Sequence, residues 1–343
     1  MGKEWVAIAT AMVVAGCASA EQRWLAAGER LTATGAITEF ALPHPASSPT
    51  TIALAPDGTV WFTQSNGNRI GRMNPDGSGL TEFDVPTADS SPRIIALGAD
   101  GNMWFSEHLA SRMARITPDG QITEFPLQTA DSQPRAIALG ADGNIWIGLF
   151  AAGKIARITP AGEITEFAIP TPDSGPRALA TGPDGNISCS EFHASKIGRI
   201  TPQGVVTEFV LPRPSSGPGD ITAGADGNMW FVELNGTIDG RVVAGNRVGR
   251  ITMQGEITEF PIPSAAGSPT NVAVGPDRNV WYTKGASLGR VAADGTITEF
   301  ALDANARAVG LTAGSDRQPP ARLANRLWYA DGNGNKIGYL RFE

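Results

Sequence analysis

Three arginines follow a proline at a fixed interval: Pro92-Arg93, Pro134-Arg135 and Pro176-Arg177 stand 42 residues apart. Guanidinium is planar, permanently charged and suited to bidentate contact with carboxylate or phosphate. Brought to one place, the three would form a basic arc in a chain whose net charge is −7. Glu107-His108 and Glu191-Phe192-His193 set a carboxylate beside an imidazole, which could work as a general base or, with Glu233, help to hold a metal. The catalytic candidates are therefore Glu107, His108, Glu191 and His193. Glu191 and Glu233 are the metal candidates, and Arg93, Arg135 and Arg177 the ligand-binding ones. Each has a structural alternative: the arginines would pair with Glu107, Glu191 or a neighbour, and the histidines would be exposed loop residues. No nucleophile elbow, phosphate loop, zinc spacing or EF-hand accompanies them, and Asp331-Gly332-Asn333-Gly334-Asn335 reads as a turn.

What positions these residues is a repeat. Thr-Glu-Phe begins at Thr38, Thr81, Thr123, Thr165, Thr207, Thr258 and Thr298, with spacings of 43, 42, 42, 42, 51 and 40 residues. Each unit contains four short apolar or alternating runs bounded by Asp-Gly turns, and no helical periodicity occurs. Four strands per repeat of this length is the arithmetic of a propeller blade. The expected fold is all-β, a seven-bladed β-propeller of four-stranded blades over 36–343. The chain starts on a fourth-type strand at Ile37 and ends on a third-type strand at Lys336, so the N-terminal strand should complete the last blade and close the ring. If each last hairpin turns on its x-Gly pair, Arg115 faces Glu124, and likewise Arg157 faces Glu166, Arg199 Glu208, Arg250 Glu259 and Arg290 Glu299, as cross-strand ion pairs. The tryptophans at 61, 104, 146, 230, 281 and 328 are expected in the core between blades, with Ser188 breaking the series.

In antiparallel neighbours, the start of strand one and the end of strand two share one rim. The residues after the first-strand proline read Thr50, Arg93, Arg135, Arg177, Gly219, Thr270 and Val309, the last after Ala308. The residues three past tryptophan, or past Ser188, read Gln64, Glu107, Leu149, Glu191, Glu233, Lys284 and Asp331. About nine extra residues within Asn235 to Asn246 belong on the same rim, where loops on a rigid scaffold carry specificity. Extra residues from Gln318 to Ala324 belong on the opposite rim.

The ends and the charge bound the setting. Residues 1–17 resemble a signal peptide with a lipobox-like end, Val14-Ala15-Gly16-Cys17, which would make Cys17 the lipidation site; Ala18-Ser19-Ala20 offers an ordinary cleavage site instead. Residues 18–35 would be a tether. Export follows in either case, to the cell envelope as a lipoprotein or as a secreted or periplasmic protein. Acidic charge without a basic stripe argues against a nucleic-acid partner, and a membrane would be met only through the lipid. Cys17 and Cys189 are the two cysteines, so no internal disulfide framework is expected. The chain is expected to be a monomer.

Trp104-Phe105-Ser106-Glu107, Lys196-Ile197-Gly198-Arg199-Ile200 and Ile257-Thr258-Glu259-Phe260 together resemble the virginiamycin B (streptogramin) lyase family, over about residues 36 to 343. The resemblance implies a seven-bladed propeller that opens cyclic depsipeptides by elimination across the ester bond, with Mg²⁺. It also implies a catalytic histidine directly after the first-strand proline in the sixth and seventh blades, positions that are Thr270 and Val309 here. The family's acid before that seventh-blade proline corresponds to Arg307, its first-blade tyrosine to Thr50, and a further acid to Asp331, which with Thr270 joins the ligand-binding candidates. Two expectations follow: a lyase-like enzyme of the envelope using the substitute groups above, or a non-catalytic propeller that binds a small anionic or peptide-like ligand at the channel mouth.

Overall fold

A computed structural model describes residues 37–265, 267–302, 304–313 and 325–342. The leader, the tether, Cys17 and the Gln318–Ala324 segment lie outside the described residues. Those described form seven four-stranded antiparallel sheets. Blade one is Pro49–Leu54, Val60–Gln64, Arg69–Met73 and Thr81–Asp84, and blades two to six repeat this plan from Pro92, Pro134, Pro176, Pro218 and Pro269. Blade seven takes Ala308–Ala313, Arg326–Asp331 and Lys336–Arg341, and its fourth strand is Ile37–Ala41 from the other end of the chain. The join is specific. Glu39 accepts from the Tyr329 hydroxyl at 2.9 Å and from Lys336 Nζ at 2.7 Å. The first strands touch their neighbours all the way round, including Ala308–Ala313 against Pro49–Leu54.

The Thr-Glu-Phe motif has a packing reason. Its phenylalanine stacks on the blade's tryptophan, with Phe125 and Trp104 5.3 Å apart, and Arg115 lies over both rings. Such ring pairs contribute about 0.5–1.5 kcal/mol beyond burial. The assembly faces the next blade: Trp104 and Phe125 pack with Ile137, Ile145 and Ile147 of blade three. Blade four has Ser188 instead, so Phe209 has only the Arg199 guanidinium over it, and the seam to blade five contains no indole.

The expected arginine–glutamate ladder is off by one residue. Ala114, not Arg115, is opposite Glu124, and Arg115 is opposite Thr123; the same holds for Arg157 with Thr165, Arg199 with Thr207, Arg250 with Thr258 and Arg290 with Thr298. The cause is the turn. Thr117 N–H donates to the Gln121 carbonyl and Gly120 N–H to that of Thr117, giving a three-residue connection with Gly120 at φ 92°, not a two-residue Asp-Gly turn. A one-residue shift moves a side chain to the other face. The arginine therefore lies on the aromatic stack and donates to the next blade's turn, Arg115 to the Pro160 carbonyl at 2.9 Å. The glutamate pairs instead with the strand-three cation: Lys154 with Glu166 at 3.0 Å, Lys196 with Glu208 at 3.2 Å. It also fastens the loop entering its own blade, as Glu166 does by accepting from Thr129 N and Oγ1.

Candidate functional site at the channel mouth

In blades one to six the first strand begins with its proline paired and then slips; in blade seven Ala308 and Val309 are both paired and the slip falls at Gly310. Pro134 pairs with Leu149 and the ladder resumes at Ala136; Pro176 pairs with Glu191 and it resumes at Ala178. A bulge re-aims the unpaired residue, and that residue is the arginine. Arg93, Arg135 and Arg177 line one cavity of about 170 Å³ at the channel mouth, with Arg307, Asp220, Asn271, Thr50, Thr270 and Val309 on its other sides. The arc expected from the sequence is thus assembled, and Arg307 extends it.

Aromatic platforms hold the guanidiniums. Arg135 lies 4.6 Å from the Phe150 ring centre and Arg177 5.0 Å from that of Phe192. Their carboxylate partner is not Glu107 or Glu191. Asp239 Oδ2, from the blade-five insertion, meets Arg135 Nη1 at 2.9 Å and Arg177 Nη1 at 2.7 Å. Burial pushes the Asp239 carboxyl up, but the Arg135 and Arg177 charges outweigh it and hold the group below the usual carboxylate range. Among the described residues, neither Arg93 nor Arg307 has a carboxylate within ion-pair distance. Burial, followed by repulsion from Arg135 and Arg177, lowers Arg93 to about 9, so it stays charged at neutral pH. Asp220 is committed elsewhere: it accepts from the backbone N–H of Ile221 and Val272 and from Asn271, and burial raises its carboxyl.

Of the remaining candidates, Thr270 lines this cavity and His108 lies beside Arg93, but the carboxylates are not gathered there. Glu107, Glu191 and Glu233 are at the expected level of the blade but on the wrong face, fully buried and turned toward the fourth strand. A Cβ added at Gly198 would stand 2.5 Å from Glu191 Oε1, which places that carboxyl over the third strand. Neither oxygen of any of the three meets a hydrogen-bond donor; each faces the motif glutamate of its own blade, Glu124, Glu208 or Glu259. Burial, with the neighbouring carboxylate, raises Glu107 and Glu191 to about 8 and raises Glu233 likewise. Asp331 anchors a turn, accepting from the N–H groups of Arg307, Asn333 and Gly334. His108 Nδ1 is 3.3 Å from the Pro134 carbonyl, and burial and the nearby Arg93 charge lower it to about 4. His193 Nδ1 is 3.1 Å from the Asp173 carbonyl, and its ring centre is 4.9 Å from that of Phe150, the platform of Arg135. Thr270 Oγ1 is 2.8 Å from Thr283 Oγ1.

These buried carboxyl pairs predict a pH dependence of stability. The folded pKa of about 8 exceeds the ordinary 4.5, so the folded chain holds a proton that the unfolded chain releases. That stabilisation is complete below 4.5 and is lost as pH rises toward 8, at about 1.4 kcal/mol per pH unit for each group. Blade one carries an amide at this position, and Gln64 Nε2 donates to Glu82 at 2.8 Å. Glu191→Gln is therefore expected to raise the Tm at pH 8 and leave it unchanged at pH 4. Equal shifts at both pH values would show that no proton is shared there.

A family model described as the Virginiamycin B lyase family matches residues 22–240 and again 136–343. The chain belongs to the virginiamycin B lyase family. A solved streptogramin B lyase is 34% identical, with a TM-score of 0.81, over 90% of this chain and 97% of that one. A catalytically inactive histidine-to-alanine variant of the Staphylococcus aureus virginiamycin B lyase, solved with quinupristin, is 33% identical over 90% of this chain and 99% of its own, again at 0.81. Curated virginiamycin B lyases of Bordetella parapertussis and Bordetella bronchiseptica are 45% identical over 42 residues, and the match spans 14% of their length. Phe150, Phe192 and Asp239 contact the arginines of this mouth, and the sequence reading missed them. The aromatic pair could have been found by position, since both occupy the place that His108 takes in blade two. Asp239 could have been found as the acid of an Asp-Gly turn within an insertion already placed over three arginines.

The family's Mg²⁺ does not fit the donors at this mouth. Four guanidiniums face Asp220 and Asp239, so the cavity repels a dication, and among the described residues no three His, Cys, Asp or Glu side chains gather at metal-ligand distance. Glu191 and Glu233, the metal pair expected from the sequence, stand in different blades; each faces its own blade's glutamate, and the two do not converge.

Proposed function

We propose that this chain is a ligand-binding member of its family, exported by the leader that ends near Cys17. It would hold an anionic or peptide-like ligand at the channel mouth and would not catalyse ring-opening elimination. What carries the reading is one juxtaposition: Arg93, Arg135, Arg177 and Arg307 surround a cavity whose wall has Thr270 and Val309 where the family resemblance implies histidines. Elimination needs a base for the α-proton and a cation to stabilise the enolate that develops. Threonine and valine supply no base near neutral pH. His108, with its pKa near 4, is unprotonated there but too weak a base to replace them. Charge-assisted contacts to fixed guanidiniums, by contrast, suit retention of a carboxylate or phosphate.

Quinupristin incubated with the protein, with and without Mg²⁺, is expected to yield no ring-opened product. Elimination leaves the mass unchanged, so the assay must resolve linear from cyclic forms by chromatography. A linear product that forms in proportion to protein would overturn the non-catalytic reading.

A further inference from the structure

The blade-five insertion is an extension of the second hairpin. Strands Met229–Ile238 and Arg241–Ile251 run past the blade, broken by a bulge between Glu233 and Asn235, and turn at Asp239-Gly240. Asp239 has φ 49° and Gly240 φ 76°, the two left-handed positions of a type I′ turn. Beyond the bulge the hairpin packs through two side chains, Val243 buried at its base and Ile238 half-buried against the Phe150 and Phe192 cluster, whereas Val242 is 75% exposed and Asp239 and Gly240 at the tip are open to solvent. An arm with an open tip thus sets one carboxylate between two guanidiniums of blades three and four.

Resting on the reading of the mouth as an anion site, we propose that this hairpin is an internal, displaceable occupant of it. By holding the site, Asp239 restricts it to ligands with two negative charges, a dicarboxylate or a phosphate monoester in chemistry. A tethered carboxylate competes at an effective concentration on the order of millimolar. An incoming monocarboxylate only exchanges one contact with Arg135 and Arg177 for another and must still displace the tether. A dianion does more, because its second charge reaches Arg93 or Arg307, which have no carboxylate partner among the described residues. The arm thus converts a general anion site into one that discriminates by charge number.

The test is calorimetric titration of the full chain with acetate, malonate and inorganic phosphate. The wild-type protein is expected to prefer malonate or phosphate over acetate by about tenfold or more, and the order of those two distinguishes the dicarboxylate from the phosphate source. Asp239→Asn is expected to tighten acetate and shrink that preference. A shortened arm, with 237–242 replaced by Asn-Gly between Gly236 and Val243, should do the same and guards against a local fault of the single substitution. Unchanged affinities in both variants would overturn the internal-competitor idea while leaving the anion site intact. Weaker binding of every probe would also overturn it, since Asp239 would then help to hold the ligand. If no protein binds any probe, the anion site falls as well.

Discussion

Arg135→Ala is expected to weaken binding of a dianionic probe by roughly 10- to 100-fold, the cost of losing one charge-assisted contact in a partly desolvated site. Arg135 is the most informative of the arc because the residue is only 9% exposed and its own blade has Leu149 in the position held by Glu107 and Glu191. Its guanidinium is fixed by Phe150 beneath and Asp239 above. A structural role would appear as a lower Tm with ligand affinity preserved; a binding role appears as lost affinity in a folded ring. Calorimetric titration together with a melting curve separates the two. Unaltered affinity would show that the arc does not serve the ligand.

Removing residues 37–41 should cause the largest loss of stability. The deletion takes away a whole ladder, Ile37↔Leu340 to Ala41↔Lys336, and leaves Tyr329 and Lys336 without Glu39. Cross-strand pairs and their hydrogen bonds at these values sum to on the order of 5 kcal/mol. That corresponds to a fall in Tm of roughly eight degrees for a chain of this size. The exposed edge of Lys336–Arg341 should also template association. Differential scanning calorimetry with size-exclusion chromatography reads both effects. A truncated chain that melts with the full-length protein and stays monomeric would show that the ring does not depend on this strand.

The ring was legible because its signals are local and repeated. Seven copies of Thr-Glu-Phe, the Asp-Gly turns and the orphan strand at each end determine blade number and closure without any long-range knowledge. The channel-facing arginines were legible too, since in blades two, three and four the residue after the first-strand proline is left unpaired by a bulge. Side-chain direction was less so. Whether Glu124 faces Arg115 or Arg112 depends on a three-residue rather than a two-residue connection, and both contain Asp-Gly. Glu107 and Glu191 were placed at the right height, but a height does not say which face of a sheet a side chain takes. Asp239 was hidden for another reason: its partners are 104 and 62 residues away along the chain, across blades that only the closed ring brings together.

Ser188 gives the ring an unequal joint. Six blades drive an indole into the following seam; blade four drives a hydroxyl, and the seam it shares with blade five is closed by Met229, Phe231, Ile221 and Phe209 instead. Among the described residues this is the seam between blades that lacks an indole, while the two chain ends are latched together in blade seven. That seam lies beside the root of the Asp239 arm. The Asp239 clasp is thus rooted at the joint where the wheel's aromatic pattern is interrupted.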